Sequence, residues 1–187
     1  MKSFVRLAFA ILALALSACA DARYAATMSV PMAASGPYRL DVGDEVRVIV
    51  YNQPSLSTDY KVGDTGTISL PLLGEVKART LTVQELQKAI YDGFNNGIFV
   101  NPGVSVEVSQ YRPLFVVGQV SKPGQYPYMP GMNVYGAVAI AGGFTNRADA
   151  RHMTMIRKQQ GNPAEVLAES LTEVQPGDVI VVHEQFF

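Results

Sequence analysis

The sequence predicts an α+β protein built from two small mixed strand-and-helix lobes, and three observations carry that prediction. Short apolar runs of period two recur along the chain, the cleanest being Val104-Ser105-Val106-Glu107-Val108-Ser109. Two segments show the helical period: one from Val83 to Phe94 and one from Val134 to Ala141. Sixteen Gly and eleven Pro among 187 residues, with 17% charged side chains, favour strands and turns over a helical bundle.

The elements follow in order. Leu40-Asp41-Val42-Gly43-Asp44 is a turn feeding a strand in which Val46, Val48 and Val50 share one face, and Asn52-Gln53-Pro54 ends it. Tyr60-Lys61-Val62, the turn Gly63-Asp64-Thr65-Gly66 and Thr67-Ile68-Ser69-Leu70 read as a hairpin. Leu72 to Val76 reads as another short strand. Thr82 and Glu85 form a capping box, Leu81 and Leu86 a hydrophobic staple, and Val83, Leu86, Ile90 and Phe94 one helix face. Tyr111-Arg112-Pro113 marks the boundary between lobes. Leu114 to Val120 reads as a strand buried on both faces, and Ser121-Lys122-Pro123-Gly124 as a tight turn. In the second helix Val134, Ala137, Val138 and Ala141 share a face. Gly136, Ala139 and Ile140 on the other face predict that it, too, is buried or lies close against another backbone. Gly142-Gly143 stops this helix. Met153 and Met155 alternate in one further strand, and Val179 to Val182 form the last. Val42-Gly43-Asp44-Glu45-Val46 and Gln175-Pro176-Gly177-Asp178-Val179 echo one another as Gly-Asp turns that each open a hydrophobic strand.

The N-terminus carries a different signal. Lys2 and Arg6 precede a wholly apolar run from Leu7 to Leu16, then Ser17-Ala18, which is the charge, apolar and small-residue order of a secretory signal peptide. The run is about half the roughly 20 residues a membrane-spanning helix needs. Leu16-Ser17-Ala18-Cys19 resembles a bacterial lipobox, which implies lipidation of Cys19, the single cysteine in the chain. Ala20 after it implies, by resemblance to sorting in enteric bacteria, the outer membrane. The expected organisation is a signal peptide over 1–18, a flexible tether over 19–37, a first lobe over 38–111 and a second over 112–187. Loss of Lys2 and Arg6 leaves thirteen basic against sixteen acidic residues, a net charge of −3 with no basic block, so nucleic acid is a poor partner.

The pieces in this order resemble the polysaccharide export family of outer-membrane proteins. Tyr38 to Asp44, Gly63 to Val76, Leu81 to Leu86 and Asn101-Pro102-Gly103-Val104 match its export-signature domain. Val116 to Val120, Lys122 to Tyr126, Ala141 to Phe144 and Pro176 to Ile180 match the soluble-ligand-binding β-grasp (SLBB) domain. The resemblance implies a periplasm-facing lipoprotein that forms a homo-oligomeric ring and receives polysaccharide from an inner-membrane co-polymerase. Longer relatives add a C-terminal helix that builds a pore. Here only Glu184 to Phe187 follow the last strand, so the expectation is a periplasmic adaptor for a separate outer-membrane β-barrel channel. Phe186 and Phe187 are expected to dock on a membrane, on a partner or on the protein's own core.

The residue inventory points away from catalysis, and neither a cofactor nor a metal site is expected. His152 and His183 are too few for a histidine metal cluster. Gly103-Val104-Ser105-Val106-Glu107 begins like a nucleophile elbow but lacks its closing glycine, and the alternation makes Ser105 a solvent-face serine. Asp149, Glu165 and Glu169 are scattered carboxylates with no reason to pair. The rival to an exporter is a plain carbohydrate-binding lipoprotein, for which Tyr126 and Tyr128 would stack on sugar. The candidate contacts, with polysaccharide or with a neighbouring subunit, are Tyr126, Tyr128, Gly136, Gly142 and Gly143.

Overall fold

In the computed structural model the described residues are 36–159 and 162–185. The signal peptide, Cys19, most of the tether and Phe186-Phe187 lie outside them. The described chain is mixed α+β with two helices and three sheets, as the composition and periodicities predict.

The first lobe holds a three-stranded antiparallel sheet ordered β2-β1-β5, with β1 Glu45–Val50, β2 Thr58–Lys61 and β5 Val104–Gln110. Helix α1, Val83–Asn95, packs on it because its apolar residues recur at helical spacing, which buries Leu86, Ile90 and Phe94. The cap forms as read: the Thr82 hydroxyl accepts from the Glu85 amide at 3.2 Å, and the Glu85 carboxylate accepts from the Thr82 amide at 2.8 Å. That bond holds the exposed Glu85 carboxyl below its usual pKa. An isolated helix of this length is marginal in water, so its stability comes from the core it completes. Truncating Phe94, which is fully buried there, would cost about 3–5 kcal/mol.

One strand pairing differs from the sequence reading. Residues 60–62 and 67–70 do not form a hairpin with each other: β2 pairs with β1, whereas β3 Thr67–Leu70 pairs with β4 Gly74–Lys77. The Gly63–Gly66 turn does reverse the chain, but the Gly66 carbonyl accepts from the Ala78 and Arg79 amides, which brings β4 rather than β2 alongside β3. Leu72 belongs to the tight turn between them, at a φ of 72°.

The second lobe is a five-stranded sheet ordered β7-β6-β10-β8-β9 under helix α2, Val134–Ile140. Strand β6, Leu114–Gly118, runs parallel to β10, Val179–Glu184; β7 Gly124–Tyr126, β8 Ala148–Gln159 and β9 Asn162–Ala168 complete it antiparallel. The helix covers one face, burying Leu114, Val116, Met153, Met155, Ala168, Ile180 and Val182 with Val134, Ala137, Val138 and Ala141. Strand β6 is therefore buried on one face only. Phe115 remains 40% exposed, because no layer covers the far side of the sheet within the described residues. Ala139 and Ile140 are likewise exposed, contrary to a helix buried all round; a seven-residue helix over a single sheet has one face to give. The sequence reading contained no strand at β9.

Each lobe has its own hydrophobic core, one drawing on Leu40 to Val106 and the other on Leu114 to Val182. Tyr111 and Arg112 lie between them.

Candidate functional site: the joint between the lobes

The two Gly-Asp turns have the same local build. In Asp41-Val42-Gly43-Asp44, the Asp44 amide donates to the Asp41 carbonyl at 3.2 Å, and the Asp44 carboxylate accepts from the Asp41 amide at 2.8 Å. In Gln175-Pro176-Gly177-Asp178 the corresponding distances are 3.1 and 2.6 Å. Gly43 and Gly177 sit at φ 94° and 84°, the left-handed conformation that the third position of such a turn demands. The echo in the sequence is thus a shared turn in three dimensions.

Both aspartates are buried, at 0% and 1% exposure, and each meets an arginine. Arg157 of β8 binds Asp178 through Nε at 3.0 Å and Nη2 at 2.7 Å, a two-pronged contact that suits the planar guanidinium. Its Nη2 also donates to the Glu173 carbonyl. Arg112, in the linker, gives its backbone N–H to Asp44 Oδ1 at 2.9 Å and its Nη1 to Oδ2 at 3.1 Å. Tyr38 closes the first cluster: its hydroxyl donates to Asp44 Oδ2 at 2.6 Å and accepts from Arg112 Nη1 at 2.9 Å. Burial, aided by the Asp44 carboxylate, drives the Tyr38 phenol far above its ordinary pKa. No buried side-chain N or O atom among the described residues lacks a partner, so these charges sit in satisfied networks.

Arg112 also reaches the second turn. A Cβ on Gly177 would stand 2.7 Å from Arg112 Nε, so the absent side chain makes room for the guanidinium. The Gly177 amide donates to the Pro113 carbonyl at 3.2 Å. Beside this polar seam runs an edge-to-face ladder of rings, Tyr38 to Tyr111 at 5.1 Å and Tyr111 to Tyr128 at 5.3 Å. The joint is thus tied by one arginine and three tyrosines. On its open side lies a cleft of about 470 Å³, with Arg79, Arg112 and Phe115 among its lining residues.

The candidate residues from the sequence fall in several places. Tyr128 belongs to the interlobe ladder, and burial raises its phenol pKa. Tyr126 ends β7, half-buried against the second core, and its hydroxyl donates to the Lys122 carbonyl. Gly136 lies in the first turn of α2, where its amide is capped by Asn133 Oδ1 at 2.8 Å. Gly142 and Gly143, at φ 84° and 82°, end that helix and dock it on the earlier turn at Ser121, with the Ser121 amide donating to the Gly143 carbonyl at 2.9 Å. Of these, only Tyr128 reaches the joint; Gly142 and Gly143 form one local group and Gly136 another. Ser105 is exposed on β5. Asp149 hydrogen-bonds His152, which lowers its pKa, and it makes no contact with Glu165 or Glu169. Among the described residues no three His, Cys, Asp or Glu groups are placed to hold a metal. The sequence reading missed Arg112, Arg157 and Tyr38 as functional groups. The Gly-Asp echo was the available clue to the two aspartates, but no local spacing links Asp178 to an arginine 21 residues upstream.

Residues 32–109 match the family of polysaccharide biosynthesis/export proteins, and residues 113–168 match the SLBB domain, one on each side of this joint. The chain is a polysaccharide export family protein with an SLBB domain. The chain is 36% identical over 136 residues to the exopolysaccharide production protein ExoF of Rhizobium meliloti, covering 66% of this chain and 32% of that one. It is 28% identical over 119 residues to the EPS I polysaccharide export outer membrane protein EpsA of Ralstonia nicotianae, covering 50% of this chain and 31% of the relative. The chain therefore spans about a third of the length of these curated relatives.

Proposed function

We propose that this protein is a non-catalytic, lipid-anchored component of an exopolysaccharide or capsule export complex at the outer membrane, with its lobes in the periplasm. In this reading a closed ring of identical subunits receives polymer from an inner-membrane co-polymerase and hands it to a separate outer-membrane β-barrel. The observation that carries it is the export-signature lobe and the SLBB lobe in one chain, joined by the Asp44–Arg112 seam. Such a joint transmits orientation from one lobe to the other, as a subunit of a conduit needs and a free-standing binding module does not. A closed ring also limits open-ended association through the exposed apolar groups of α2. Among the described residues no helix is long and apolar enough to cross a membrane.

The experiment is deletion of the gene with complementation, measuring secreted and periplasmic polymer separately. Loss of secreted polymer with retention inside the envelope is expected. Normal secretion in the deletion strain would overturn the reading. Light scattering on the purified lipoprotein tests the ring, and a strictly monomeric mass would remove that part of the proposal.

A further inference from the structure

The cleft beside the interlobe seam has a chemical character of its own. Its volume of about 470 Å³ lies within the roughly 300–1,000 Å³ typical of small-molecule sites. It is rich in charge yet close to neutral in sum. Arg79 is matched by Asp41 at 2.9 Å, Arg112 by Asp44 and Arg157 by Asp178, while Asp64 offsets Lys158. The carboxylates fix the guanidinium planes without using all their hydrogens: Arg112 keeps Nε and Nη2, and Arg157 keeps Nη1, with no hydrogen-bond partner among the described residues. Phe115, 40% exposed between Pro113 and the Pro176 turn, adds an apolar surface to the same wall.

A matched charge set selects against a polyanion, because each arginine already has its counter-charge. A purely apolar ligand would strand the spare N–H donors. What suits fixed planar donors, acceptors and one ring together is a molecule with hydroxyls around its rim and C–H groups on its faces. We propose that the interlobe cleft is a saccharide subsite that takes an uncharged, hydroxyl-rich stretch of glycan, with Phe115 under a sugar face and the spare Arg112 and Arg157 N–H groups and the Asp41 and Asp64 carboxylates on its hydroxyls. This rests on the export reading for its substrate class and adds a place where both lobes touch polymer.

The test uses the full mature chain labelled with ¹⁵N. The probe is a size-fractionated set of oligosaccharides cut from the exopolysaccharide that the same cells secrete, with any uronic carboxyls chemically reduced so that it is uncharged. Oligogalacturonate serves as the polyanionic comparator. Saturable amide shifts at Phe115, Lys158 and Gly177 are expected. Phe115→Ala, an exposed position outside the core, should weaken them roughly three- to tenfold. Leu171→Ala, 80% exposed and outside the cleft lining, should change nothing. Absence of saturable shifts, shifts centred elsewhere, or tighter binding of oligogalacturonate would each overturn the proposal. So would a Phe115→Ala chain whose oligomer mass changes while sugar leaves the wild-type spectrum untouched, since a neighbouring subunit would then own the cleft. Such failures leave the export reading standing, which falls only if the deletion strain secretes normally.

Discussion

Replacing Asp44 by Asn changes almost no volume and removes one charge from a site that is 0% exposed. The carboxylate accepts four hydrogen bonds: from the Asp41 amide, the Tyr38 hydroxyl, the Arg112 amide and Arg112 Nη1. An amide in its place has one oxygen and one NH2 group. Turned one way, the NH2 faces the Arg112 amide; turned the other, it faces the Asp41 amide and the guanidinium. Either way a buried donor meets a donor, and Arg112 loses its counter-charge. Breaking a buried pair in this manner costs about 3–5 kcal/mol. The Arg112 side chain is 23% exposed, so water relieves part of the loss and the lower figure of about 3 kcal/mol applies. With a urea slope near 2 kcal/mol/M, the midpoint falls by about 1.5 M. The assay is urea unfolding followed separately by tyrosine fluorescence and far-UV circular dichroism. Because Asp44 holds the linker, the two lobes should also unfold in separable steps in the variant. The matching change Asp178→Asn should cost at least as much, since its arginine is only 11% exposed. By contrast Asp59→Asn, at the solvent-exposed Arg47 pair, should leave the urea midpoint almost where it was. A loss at Asp44 as small as that at Asp59 would refute the argument that burial makes this pair structural.

Gly118→Ala should lose roughly 2–4 kcal/mol, since its φ is 85° and a Cβ would run into the Val182 carbonyl of the neighbouring strand, whereas Gly143→Ala, with the same φ sign but open space, should lose about 1 kcal/mol; equal midpoints in denaturant would count against the packing account. The raised Tyr38 phenol predicts a pH effect with a definite sign. Folding keeps it neutral, so its contribution is fully present below the unfolded value of about 10 and declines above it; Tyr38→Phe should flatten stability measured from pH 9 to 11, and an unchanged slope would contradict the burial. Cys19→Ser should leave an unlipidated chain that no longer floats with outer membranes on a density gradient; continued flotation would show that something other than the lipobox anchors it.

By itself the sequence determined the local devices. The Thr82–Glu85 capping box, the Leu86–Ile90–Phe94 stripe, the alternation of β5 and the two Gly-Asp turns depend on spacings of a few residues, and each formed as its pattern required. The order of the motifs also pointed to the family, because a linear series of motifs is what a family match compares. Tertiary structure alone decided which strands pair and which faces stay bare. The β3–β4 pairing came from the Gly66 carbonyl bonding residues 78 and 79, and the exposure of Phe115 came from the lack, among the described residues, of a layer over its side of the sheet. It alone brought Arg112 to Asp44 across 68 positions and Arg157 to Asp178 across 21. Hydrogen bonds and ion pairs act over a few ångströms in space and leave no periodic trace along a chain, so arginines in a strand and a linker looked like ordinary surface charge until folding set each against a buried carboxylate.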